Sequence, residues 1–110
     1  MKILDVRRLA RGAISAQPGR PAMATAYDGV DARVVVFRIE PGEQVHPHTS
    51  TSSVVLSVVE GRGVVAGADG ERPVAAGDVI VYEPNEEHAM RAEDERMVMH
   101  AVITPRPGAR

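Results

Sequence analysis

The chain contains no cysteine. Disulfides, thiol nucleophiles, zinc ribbons and cysteine-ligated iron–sulfur clusters are therefore excluded. Its single lysine is Lys2, close to the start, so no buried Schiff-base lysine is expected. Tryptophan is absent, and Phe37, Tyr27 and Tyr82 are the only aromatic residues. The core must be built from valine, alanine, isoleucine, leucine and methionine. No apolar run approaches the ~20 residues of a membrane-spanning helix. The N-terminus shows no signal-peptide pattern, and a cytoplasmic protein is expected. The net charge is −2 with the signs mixed, and no basic stripe is interleaved with aromatics. Neither nucleic acid nor membrane is an expected partner. G-x-S-x-G and Walker-type loops are missing as well. Chemistry is left to histidine, carboxylates, hydroxyls or a bound metal.

What is present is a valine-rich chain of 110 residues, enough for one domain with a core. Valine is β-branched and favours strands. Short apolar runs alternate with Gly, Pro and Asn/Asp turn signals. The pattern predicts strands over 33–40, 45–48, 54–59, 63–66, 73–75, 79–82, 88–92 and 96–104. A shorter strand is expected at 23–27, and an edge strand or arm at 3–9. No window shows convincing helical periodicity, so no helix is expected. Residues 1–110 read as a single domain. Within it, 1–31 form an N-terminal arm and edge strands, 32–104 the barrel, and 105–110 a loose tail. Many short strands with regular turns predict an all-β sandwich or barrel.

Three of the four histidines fall in one arrangement. His46-Pro47-His48 follows Pro41-Gly42, and His88 follows Gly77-Asp78 and Pro84-Asn85. Residues two apart on a strand share a face, so His46 and His48 are expected to aim at one point. His88 comes from another strand and can supply a third imidazole. Neutral imidazole is a common transition-metal ligand. Val54, Leu56 and Val58 share one strand face, and Val55 and Val59 the other. Burial on both faces predicts a cover over the outside, either a second chain or the N-terminal arm.

Two ordered motifs here resemble those of the cupin family, in particular its small single-domain members with a cupin-2-like conserved barrel. Gly42, His46, His48 and Gly61 match the first motif. Gly77-Asp78 and His88 match the second, with Glu83 in place of a proline and Asn85 in place of a glycine. Asparagine tolerates left-handed backbone, so the latter exchange is mild. The resemblance covers roughly residues 32–104. It implies a double-stranded β-helix, or jelly-roll, barrel. It also implies a divalent transition metal (Fe, Mn, Ni, Cu or Zn) on His46, His48 and His88. The family's metal-binding glutamate, seven residues before Gly61, is replaced by Val54. His100 is the spare histidine, a candidate ligand or neighbour of one. Phe37, Tyr82, Met90 and Gln44 are further candidates for the pocket wall.

Several functions are compatible with that set. The first is a metal-dependent enzyme on a small-molecule substrate, with oxidative, dioxygenase-like chemistry at a three-histidine site. The second is a non-catalytic module that binds a metal or small ligand. Isomerase or lyase chemistry and a purely structural dimer complete the alternatives. A homodimer is expected from the apolar outer face of Val55 and Val59.

Overall fold

A computed structural model describes residues 1–108 of the protein. The strands are β1 (Ile14–Ser15), β2 (Ala22–Asp28), β3 (Arg33–Ile39), β4 (Gln44–His48) and β5 (Ser53–Glu60). They continue with β6 (Arg62–Gly67), β7 (Gly70–Ala75), β8 (Val79–Tyr82), β9 (His88–Ala92) and β10 (Met97–Thr104). One sheet has the order β1-β2-β3-β10-β5-β8, the other β4-β9-β6-β7. Adjacent strands within each sheet run antiparallel. Non-consecutive neighbours such as β3-β10-β5 give the jelly-roll crossing expected of an all-β barrel.

The inner faces form one core. Ile39, Val54, Leu56, Val58, Val65, Met90, Met97, Met99 and Ala101 meet there, with Tyr82 among them. Alternation along β5 puts Val54, Leu56 and Val58 inside and leaves Val55 and Val59 half-buried outside, as their spacing predicts. The turn after β5 demands glycine. Gly61 has φ +76°, and a Cβ there would meet the Arg96 carbonyl oxygen at 1.8 Å.

Two expectations are corrected. Residues 3–9 are not a strand: Val6–Gly12 form a helix, α1. Asp5 caps its N-terminus, its side chain accepting from the Arg8 N–H at 3.1 Å. Val6, Leu9 and Ala10 pack on Val36, Val59 and Val98 of the outer sheet face. The N-terminal arm therefore covers part of the outer apolar strip. Nor are the tail residues 105–107 loose. Arg106 donates to both carboxylate oxygens of Asp28, at 2.7 and 3.1 Å. The Ser52 hydroxyl donates to the Pro105 carbonyl at 2.7 Å. Residues 109 and 110 of the expected tail lie outside the described residues.

Candidate small-molecule site

The pairing of β4 with β9 decides which histidines meet. Val45 lies opposite Met90 and His48 opposite His88. Three steps along β4 thus correspond to two along β9, so a bulge lies at His46-Pro47. One extra residue reverses the alternation between His46 and His48. His48 turns into the barrel beside His88, with ring centroids 4.1 Å apart at 67°. His46 instead lines a groove at the barrel edge, with Met23, Arg20 and Gln44. His48 is exposed at the mouth, whereas His88 is 4% exposed.

A cavity of about 130 Å³ opens on the two imidazoles. Its wall is Phe37, Val54, Leu56, Met90, Ala101 and Ile103, with Ser50 and Pro107 at the rim of the same space. Phe37, Val54 and Met90 line this cavity. Ser50 was not among the expected site residues. It stands two residues beyond His48, so the pair one residue apart that faces the cavity is His48 and Ser50. The available signal was this spacing, hidden because the pattern His46-Pro47-His48 drew the pairing two residues upstream. Ser50 is held by its neighbours: its carbonyl accepts from the Asn85 N–H at 2.6 Å, and its hydroxyl from the Ser52 N–H at 3.1 Å. Asn85 adopts φ +67°, the left-handed turn predicted for it.

Tyr82 and His100 play other parts. Tyr82 stacks on His88 with centroids 4.7 Å apart, and its hydroxyl donates to the Ala66 carbonyl at 2.8 Å. Burial, reinforced by the charges of Glu86 and Asp69, pushes its phenol up to about 12. Tyr82 is a neutral backing for His88 rather than an acid. His100 sits between the inward Met99 and Ala101 and pairs with Val36, whose side chain packs under α1. It therefore faces away from the cavity, which corrects its place as a possible ligand. Gln44 pairs with Arg91 and lines outer grooves, not the cavity.

Both site imidazoles are oriented through backbone carbonyls. His48 Nδ1 donates to the His46 carbonyl at 2.9 Å, and His88 Nδ1 to the Glu86 carbonyl at 3.1 Å. A carbonyl only accepts, so each Nδ1 carries the proton and Nε2 of the neutral ring keeps its lone pair. Burial is the main cause that holds the His88 pKa below the ordinary histidine value. The Glu86 carbonyl opposes it, and the nearby His48 adds to it. His88 is consequently neutral at neutral pH.

The donor set does not match a three-histidine metal centre. Two imidazoles, a hydroxyl and the apolar Val54 face one another, and no group of three His, Cys, Asp or Glu side chains converges among the described residues. Nδ1 anchoring by carbonyls does resemble the support given to metal-ligating histidines. The third ligand is what is missing.

Fold and site define a class: a small jelly-roll barrel with an apolar cavity between its sheets. The cupin domain family model matches residues 35–103, and the chain belongs to that family. Solved structures repeat the fold. The protein TT1209 from Thermus thermophilus superposes with TM-score 0.84 at 24% identity, over 97% of this chain and 100% of that one. A conserved protein with a double-stranded β-helix domain from Klebsiella pneumoniae gives 0.80 at 21% identity, over 100% and 94%. KdgF from a Halomonas species gives 0.77 at 20% identity, over 86% and 87%. These likenesses define the fold alone. No curated protein matches the sequence.

Proposed function

We propose that the protein is a small-ligand-binding cupin in which the His48–His88 pair accepts a hydrogen bond from a hydroxyl on a largely apolar molecule. One observation carries this reading: two imidazoles whose Nδ1 atoms lie within hydrogen-bond distance of backbone carbonyls border an apolar cavity. Their Nε2 lone pairs are the available acceptors, and Phe37, Leu56, Met90 and Ile103 supply the apolar surface. A cavity of about 150 Å³ lined by aliphatic and aromatic side chains accommodates benzene, so one ring or a short branched chain matches this space. A ligand hydroxyl stranded there without an acceptor would be penalised by about 1–3 kcal/mol. The pair therefore selects for hydroxyl-bearing molecules.

The metal-dependent oxidative enzyme remains the second reading, supported by the carbonyl-anchored imidazoles. It has less support because His46 lines the edge groove and Val54 offers no ligand atom. The same pair could also move a proton on a bound substrate, which would make the site an isomerase or lyase.

Benzyl alcohol and toluene test the binding reading. Benzyl alcohol should shift the His48 and His88 ring resonances saturably, and toluene should bind more weakly. His88→Phe should remove the preference while leaving the fold intact. Equal affinity for the two probes in the wild type would contradict the role given to the pair.

A further inference from the structure

We propose that the groove beside the cavity is an anion subsite, so that the chain takes a 2-hydroxy acid with an apolar tail. This rests on the cavity being the ligand site. The groove holds about 420 Å³ between the β1–β2 loop and β4, at the open edge of the two sheets. It is lined by Gln17, Arg20, Met23, Gln44, Val45 and His46, among others, and by no carboxylate. Ion pairs among the described residues engage Arg7, Arg33, Arg38, Arg62, Arg72, Arg91, Arg96 and Arg106, and leave out Arg8, Arg11 and Arg20, of which Arg20 lines this groove. The loop that carries Arg20 is fastened: the Ser15 hydroxyl lies 2.5 Å from the Gln17 carbonyl and 2.7 Å from that of Arg20.

Groove and cavity meet at one imidazole, since His48 lines both. On the facing sheet Met23 of the groove pairs with Phe37 of the cavity, giving a continuous apolar floor. Along the cleft the lining runs from the apolar cavity, through His48 shared by both spaces, to the groove that Arg20 lines. A 2-hydroxy acid presents the matching order: tail, hydroxyl, carboxylate. Arginine suits the carboxylate because its planar fork can donate two hydrogen bonds. Gln17 and Gln44 offer further amide donors. His46 thus belongs to the carboxylate end of the ligand rather than to a metal.

The probes are 3-phenyllactate, 3-phenylpropane-1,2-diol, which lacks the carboxylate, and 3-phenylpropionate, which lacks the hydroxyl. Affinities are measured by titration calorimetry at low salt. Phenyllactate should bind about ten-fold tighter than the diol, and added salt should narrow the gap because Arg20 is exposed. Arg20→Gln should bring the two affinities together. Equal wild-type affinities, or a preference that survives Arg20→Gln, would overturn the anion subsite while leaving the cavity reading in place. Equal binding of phenyllactate and phenylpropionate would instead overturn the role of the imidazole pair. If benzyl alcohol binds and phenyllactate does not, the anion subsite alone falls.

Discussion

At the scale of single residues, the site turns on where one extra residue is placed. The H-x-H spacing was visible in the sequence, and alternation made His46 and His48 partners. The bulge at His46-Pro47 was not visible, because nothing local marks which pair keeps the ladder register. His48 and Ser50 face the cavity instead. Ser50→His should therefore add a third imidazole to His48 and His88, and raise zinc affinity by roughly ten-fold or more over wild type. His46→Ala in the wild type should change zinc affinity little. The opposite pair of results, measured on untagged protein by competition with a chelating dye, would restore His46 as an inward ligand. Val54 lines the cavity beside His48 and His88, and the register shift of β5 against β10 falls beyond it, between Val58 and Glu60. His88 makes a pH prediction. Its folded pKa is lowered, so above about pH 6.5 it is neutral in both folded and unfolded chains and contributes no penalty. As pH falls from there the unfolded chain takes up the proton first, and stability declines until the folded value is passed. Denaturation midpoints should drop between neutral and mildly acidic pH, and His88→Phe should flatten part of that slope.

At the scale of elements, most strands were legible because Gly, Pro and Asn/Asp turns bracket short valine-rich runs. Strands 79–82 and 88–92 coincide with β8 and β9. The helix was not read. Its apolar positions, Val6, Leu9, Ala10 and Ala13, have helical spacing, but α1 has seven residues and its stability comes from packing. Arg38 on β3 supplies a further hold: its guanidinium donates to the carbonyls of Ala10, Arg11 and Ala13 at the C-terminal end of α1. The Ala10 carbonyl also accepts from the Ala13 N–H at 3.3 Å, but carbonyls at a helix end are short of intrahelical donors, so a cation there both bonds and complements the dipole. Arg38→Met should loosen α1 from the sheet. Amide exchange across 6–12 should quicken while β5 and β10 stay protected, and uniform quickening would show that α1 is not a separate unit.

At the scale of the whole molecule, the outer sheet face is covered only in part. Val59 and Val98 lie under α1, whereas Val79 and Val81 on the edge strand β8 are 61% and 58% exposed. Val55 pairs with Val81 and Val102 and extends the strip inward from that edge. We propose that a second copy covers it in a homodimer, since an unpaired apolar edge strand invites association. Val81→Arg should shift the sedimentation coefficient from dimer to monomer at micromolar concentration without unfolding the barrel. A wild-type monomer would leave the strip without that partner. Among the described residues no helix is long and apolar enough to cross a membrane.

The central claim is that His48 and His88 present two Nε2 acceptors to one cavity. Long-range proton–nitrogen NMR on ring-labelled protein reads each tautomer directly. At neutral pH both rings should show the proton on Nδ1, and benzyl alcohol should shift both Nε2 resonances together with the same saturation curve. Proton occupancy on Nε2, or a ligand response from His46 in place of His48, would contradict the account.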